Sequence, residues 1–294
     1  MKTAITSSLL IIFSLALEAN VSVIAQKIES KPGTDAELMA SEILMAVDTR
    51  RQIPFLSLTF GPFDIDEAYT IQSFVDEALA ERLGPAVGYK VAYASRSAQE
   101  QFGVDEPARG TYFLAHATPN GSTIRQSHFM EIMVETEVAF TIGQTVWRQM
   151  GSVDELKKHV RWIHPALDLG DFRYSRDEGK PTVADMIACG TGAHGFVLGP
   201  GKDPASIEAG NLDLLLVRNG ETLRESKSSA VMDNPWNSLL WCVNDIIARG
   251  GIIKRGTVIL TGTAAPAYMA TGEAITGTYT GDCGHLGSVT LNIE

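Results

Sequence analysis

In Val134-Glu135-Thr136-Glu137-Val138-Ala139-Phe140, two glutamates fall on alternate positions of a strand-like run. Successive strand side chains point to opposite faces of a sheet. Val134, Thr136, Val138 and Phe140 then share one face, and Glu135 and Glu137 share the other. Two carboxylates held side by side repel each other unless positive charge stands between them. A divalent cation that prefers oxygen ligands satisfies both. A solvent-facing strand with two exposed acids shows the same alternation, so both readings stand at this level.

A second acidic segment bears on that choice. His164-Pro165-Ala166-Leu167-Asp168-Leu169 is a short apolar run with one carboxylate inside it. A buried lone Asp is costly unless it is paired or coordinated. The alternative places Asp168 at a strand end as a cap or turn residue. Glu135, Glu137 and Asp168 together make a candidate site for a hard cation, Mg²⁺, Mn²⁺ or Ca²⁺, with water or substrate in the other positions. No His or Cys falls at zinc-ligand spacing, which argues against zinc.

The chain has 294 residues and a formal charge of −11. That length suits one large domain, or a large domain with a small companion. The acidic balance argues against nucleic acid and against an anionic membrane surface as partners. The first residues read as an export signal. Lys2 supplies a weak positive region, Leu9 to Leu17 is an apolar run too short to span a bilayer, and Val23-Ile24-Ala25 resembles a cleavage site. Gln26 is then the mature N-terminus and the protein periplasmic or secreted. No later stretch is long and apolar enough for a transmembrane helix. Cys189, Cys242 and Cys283 form no CxxC pair, and an odd count cannot all pair within one chain, so no disulfide framework is expected.

Helix patterns run from Asp35 to about Arg50, with Leu38, Ile43, Leu44 and Val47 on one side, and from Asp64 to Leu83, with Asp64 and Glu67 as a capping box and Gly84 as the stop. A third helix starts at Ser152, with Glu155 completing a box. A fourth opens on Asn234-Pro235 and ends at Gly250-Gly251. Strand-like runs cover 86–92, 111–114, 134–142, 195–198, 212–217, 257–260 and 288–293, and Asn219-Gly220 signals a hairpin turn. Helices cluster in the first third and strands in the second half, an α+β arrangement. Gly190-Thr191-Gly192-Ala193-His194-Gly195 lacks the ending of a phosphate loop.

Taken in order, several segments resemble the 2-keto-4-pentenoate hydratases of the fumarylacetoacetate hydrolase superfamily. They are Gly88-Tyr89-Lys90-Val91, Gln101 to Pro107, Gly110-Thr111, the Glu135-x-Glu137 strand, Pro165 to Asp168, Asn234-Pro235, Trp241, Leu260 to Thr263 and Leu286 to Val289. The resemblance spans about residues 35–294. It implies a mixed β-roll core, fumarylacetoacetate hydrolase C-terminal-like, with a smaller helical N-terminal region. The chain then divides into a signal peptide (1–25), an N-terminal α/β region (26–115) and a metal-binding β-roll catalytic domain (116–294). It also implies a homo-oligomer and a divalent metal, usually Mg²⁺, held by Glu135, Glu137 and Asp168. That metal chelates a small 2-oxo acid, and members hydrate, decarboxylate or hydrolyse through enol or enolate species on it. Lys90 matches the lysine that the hydratases place near the metal. Arg173, Thr191 and Thr263 are candidates to meet the substrate.

Two segments depart from the hydratase pattern. An Asp of the hydratases is Ala115 here, beside His116, and a loop that carries Asp, Asn and Ser reads Cys189, Gly190 and Ala193. His116 and His194 are the candidates to carry protons in their place. The expected activity is a metal-dependent hydratase-like lyase on an enolisable 2-oxo acid of the 2-hydroxydienoate type. The alternatives are an acylpyruvate-type C–C hydrolase, a 2-oxo acid decarboxylase, or an exported binding protein without turnover.

Overall fold

Short polar signals start and stop the helices. The computed structural model describes residues 35–175, 177, 179–269 and 274–294. The expected export signal (1–25) and Gln26 lie outside the described residues. The helices are α1 (Asp35–Thr49), α2 (Leu56–Thr59), α3 (Ile65–Leu83), α4 (Arg96–Phe102), α5 (Val153–Lys157), α6 (Val183–Ala188) and α7 (Pro235–Ala248). The Asp64 carboxylate accepts the Glu67 N–H at 2.9 Å to open α3. Ser152 Oγ accepts the Glu155 N–H at the start of α5. Asn234 caps α7 through the Trp236 N–H, with Pro235 in the first turn. Among the described residues, no helix is long and apolar enough to cross a membrane. One expected stripe is rotated: α1 buries Met39, Ala40, Ile43 and Ala46, while Leu38 is 49% exposed. At about 100° per residue, Leu38 stands about 140° around the helix from Ile43.

Two sheets carry the strands. The larger has eight, in the order β2 (Ala108–Phe113), β1 (Ala86–Ala92), β10 (Val258–Leu260), β5 (Ile132–Ile142), β6 (Val160–Asp171), β7 (Ala193–Leu198) and β3 (Ala117–Thr118), with β11 (Tyr268–Met269) also pairing with β5. β1–β10 and β3–β7 pair parallel and the other neighbours antiparallel. The smaller sheet runs β4 (Thr123–Ile124), β13 (Ser288–Ile293), β12 (Gly277–Asp282), β8 (Asp213–Arg218) and β9 (Glu221–Lys227). The β8–β9 hairpin turns at Asn219 (φ 51°) and Gly220 (φ 87°), both left-handed as a type I′ turn requires.

The outer face of β5 and β6 is apolar and doubly covered. Val134, Leu167 and Leu169 pack against Leu216, Tyr279 and Leu291 of the smaller sheet. Val138, Phe140 and Ile163 pack against Trp236, Leu239 and Val243 of α7. On the inner face the larger sheet curls. β2 is at one edge and β7 is near the other, yet the Tyr112 and Phe196 rings are 4.8 Å apart. The result is the mixed β-roll of the α+β class, with helices mainly in the N-terminal region. β1 and β2, which lie inside the expected N-terminal region 26–115, are strands of the same sheet as β5 and β6.

A close approach inside the roll requires glycine at one position. A Cβ on Gly110 of β2 would stand 2.0 Å from the Gly190 carbonyl oxygen and 2.7 Å from Thr191 Oγ1. β2 therefore lies directly on the Cys189–Ala193 turn. Gly110→Ala is expected to destabilise the protein by about 1–3 kcal/mol, the cost of overpacking. Gly151→Ala, whose Cβ would meet only Glu155 Oε2 at 3.5 Å, is expected to stay within about 0.5 kcal/mol of the parent. Paired thermal melts check this; equal melting points for the two variants would remove the packing argument.

Candidate metal centre

In the β5–β6 ladder Glu135 lies directly opposite Asp168, and Glu137 opposite Ala166. The pairing sets three carboxylates on the inner face of the roll. One oxygen from each of Glu135, Glu137 and Asp168 lies within 4.8 Å of the others. Oxygens that surround a hard cation at about 2.1–2.5 Å stand about 3–5 Å apart, so the spacing suits such an ion. Glu137 and Asp168 are buried, and Glu135 opens onto a cavity.

Each carboxylate has a partner from another element. Lys90 of β1 ion-pairs through Nζ with Asp168 Oδ2 and stands 3.8 Å from Glu135 Oε2. The Tyr112 hydroxyl of β2 donates to Asp168 Oδ1. The Gly262 N–H donates to Glu137 Oε2 at 2.7 Å. Gly262 has φ +93°, and a Cβ there would stand 2.9 Å from the Val91 carbonyl oxygen, so the turn after β10 accepts no side chain.

Burial sets the electrostatics. It pushes the Glu137 carboxyl well above its usual range and the Glu135 carboxyl up as well, with Lys90 offsetting part of the rise. Burial alone would lower the Lys90 pKa, but Asp168, Glu135 and Glu137 together shift it up, so Lys90 stays an ammonium. With a divalent cation bound the three carboxylates would be ionised, and against one ammonium they carry two negative charges in excess, the complement of that cation. An ionised carboxylate offers about four lone-pair sites, so Asp168 can keep Lys90 and Tyr112 and still meet an ion. The residues present fit a hard divalent metal.

Lys90, Glu135 and Glu137 form part of the wall of a cavity of about 570 Å³. The rest is largely apolar, with Tyr93, Phe102, Met133, Phe172 and Met186 contributing. Thr191 and Thr263 also line it. Thr191 Oγ1 is buried with no hydrogen-bond partner, on a residue held at φ 51°. Thr263 Oγ1 accepts the Ala265 N–H at 3.3 Å, which leaves its O–H to donate.

His116, His194 and Arg173 are not among the residues that line this cavity. They line a second cavity of about 310 Å³, together with Ala115 and Asp171. Strand alternation separates them: Asp168 points inward, so Leu169 and Asp171 point outward. A bulge where β7 passes Leu169 and Gly170 sets His194 beside Gly195 on that outer side. Arg173 directs Nη1 at the Cys189 carbonyl and Nη2 at the Ala193 carbonyl, 2.7 Å for the latter. Ala115, where the resemblance implies an Asp, lines the second cavity and is not among the residues that line the metal-side one. Two contributors were absent from the sequence reading. Tyr112 shares a strand face with Gly110, but its contact with Asp168 follows from the curl of the sheet. The Gly262 N–H is a backbone group with no residue-type signal beyond the glycine itself.

Residues 87–291 match the family of the fumarylacetoacetate (FAA) hydrolase C-terminal region. The chain is 28% identical over 233 residues to a 2-keto-4-pentenoate hydratase of Paraburkholderia xenovorans (strain LB400), covering 78% of this chain and 85% of that protein. It is 24% identical over 242 residues to a 2-hydroxyhexa-2,4-dienoate hydratase of Comamonas testosteroni, covering 80% and 89%. In fold it is similar to the 4-oxalocrotonate decarboxylase from Pseudomonas putida G7, solved with magnesium and adipate. The TM-score is 0.82 at 21% identity, over 90% of this chain and 100% of the other. With a match across most of its length and the expected roll built around the Glu-x-Glu strand, this chain belongs to the fumarylacetoacetate hydrolase family.

Proposed function

We propose that the protein is a divalent-metal-dependent hydro-lyase acting on an enolisable 2-oxo acid of the 2-hydroxydienoate type. The observation that carries this reading is the convergence of Glu135, Glu137 and Asp168, with Lys90 among them, at one wall of a 570 Å³ cavity. The hydratase names of its relatives support the reaction class. A divalent cation bound there supplies a Lewis acid for the carboxylate and keto oxygens of a 2-oxo acid.

The chain's own residues divide the remaining work. Lys90 holds positive charge beside the carboxylates and offers a proton donor to a developing enolate oxygen. Thr191 and Thr263 line the cavity, and each hydroxyl has donor capacity left to orient the substrate. Tyr112 and the Gly262 N–H position Asp168 and Glu137. The apolar walls take the hydrocarbon part of the substrate.

Incubation of the purified protein with Mg²⁺ and a 2-hydroxydienoate, followed by ultraviolet absorbance and product analysis, tests the reading. A hydroxy-ketone product upholds it. Two fragments would assign a C–C hydrolase, and CO₂ release a decarboxylase. A metal-dependent rise in melting point with no turnover would assign a binding protein.

Three substitutions probe the assignments. Glu135→Gln is expected to abolish both the Mg²⁺-induced rise in melting temperature and turnover. Lys90→Met takes the ammonium away from the buried Asp168, and breaking a buried ion pair costs about 3–5 kcal/mol. Its metal-free form is expected to melt below the parent, with a larger upward shift on adding Mg²⁺ and a lowered kcat. Tyr112→Phe removes a hydrogen bond to one carboxylate and is expected to weaken Mg²⁺ binding about 10–100-fold, as for other groups that orient metal ligands. Calorimetric Mg²⁺ titration reads this last effect. Unchanged affinity would show that Tyr112 is only a packing residue.

A further inference from the structure

We infer that the cavity on the outer face of β6 and β7 is a second ligand site, which takes a small monocarboxylate with an apolar body. It holds about 310 Å³, at the small end of the range for small-molecule sites. Val47 and Arg50 enter it from the end of α1, Leu79 and Leu83 from α3, and Leu169 from β6. Flat rings form another part of the wall. The His116 and His194 rings stack at 5.7 Å with an 18° interplanar angle, and Phe129 lies 4.3 Å from His194. One side of the cavity is thus an apolar slot.

The charge in the wall is positive. Arg50 and Arg173 contribute two guanidinium groups against the single carboxylate of Asp171. Asp171 is already engaged: Oδ1 accepts the Met130 and Glu131 N–H groups at 2.8 and 2.9 Å, and Oδ2 stands 3.7 Å from His194 Nδ1. Burial, reinforced by Arg173, lowers the His116 pKa to about 4 and that of His194 well below its usual value, so both rings are neutral near neutral pH. The balance of one net positive charge matches a monoanion. Arg173 is buried, and its Nε has no hydrogen-bond partner. An unpaired buried donor costs about 1–3 kcal/mol, which a bound anion nearby offsets in part. An apolar body fits the slot, and a carboxylate fits the positive wall, with Arg50 as the guanidinium to meet it.

The test uses the full-length Glu135→Gln protein, in which the metal centre is disabled, so its outcome does not depend on turnover. Benzoate is titrated by calorimetry, with inorganic phosphate as charge without apolar body and benzyl alcohol as the converse. Saturable benzoate binding with Kd below about 1 mM is expected, at least tenfold tighter than either comparator. Arg50→Ala is expected to weaken it at least tenfold, and Ala115→Trp, which fills the mouth, to abolish it. Arg173 is left intact because it also braces the Cys189–Ala193 turn. Absence of saturable binding overturns the inference. So does phosphate binding as tightly as benzoate, or benzoate binding unchanged in both variants.

Discussion

A lysine ammonium inside the roll, held among three carboxylates, is the constraint to which the surrounding structure answers. A buried ion pair is tolerable only when its remaining donors and acceptors are matched. Here Asp168 receives Lys90 on one oxygen and Tyr112 on the other, while Glu137 receives a backbone N–H from Gly262. None of these partners is near the acids in sequence. β1 and β6 are separated in the sheet by β10 and β5, so Lys90 reaches Asp168 only because the sheet curls. The roll is therefore an electrostatic requirement of the site as well as a way to bury apolar surface.

The same reasoning bears on the large cavity, whose acidic groups gather at one wall. Its apolar walls leave the local dielectric low, which strengthens any charge interaction at the acidic end. Uncompensated negative charge is most costly there, and a divalent cation contributes most. Glu135, the most exposed of the three acids, lines the open space together with Glu137.

Much of this was legible from residue order. The alternation of Glu135 and Glu137 with Val134, Thr136 and Val138 placed the acids on one face, because the strand period is a local property. The caps Asp64, Ser152 and Asn234, and the Asn219-Gly220 turn, were readable for the same reason. The face of α1 was misread at Leu38, where several apolar residues allowed more than one stripe and tertiary packing chose among them. The grouping of His116, His194 and Arg173 with the acids failed to anticipate the sheet's two faces. Asp171 is three positions beyond Asp168, an odd offset that reverses direction along a strand. The bulge opposite Gly170 then sets His194 on the outward side, a register detail with no residue-type signature.

The two faces are nevertheless connected through one short turn. Arg173 holds the carbonyls of Cys189 and Ala193, the two ends of the segment that carries Thr191. On its other side that segment meets β2 at Gly110, close enough that no side chain fits between them. Thr191, which lines the metal-side cavity, is thereby fixed in a left-handed backbone conformation with its hydroxyl buried and unpaired. A non-glycine residue in that conformation costs about 1–3 kcal/mol and persists only where its surroundings over-determine it. The guanidinium on one side and the glycine strand on the other are those surroundings. The position of a residue that lines one cavity thus depends on a cation that lines the other, and any group drawing Arg173 away from its two carbonyls acts on the segment that carries Thr191.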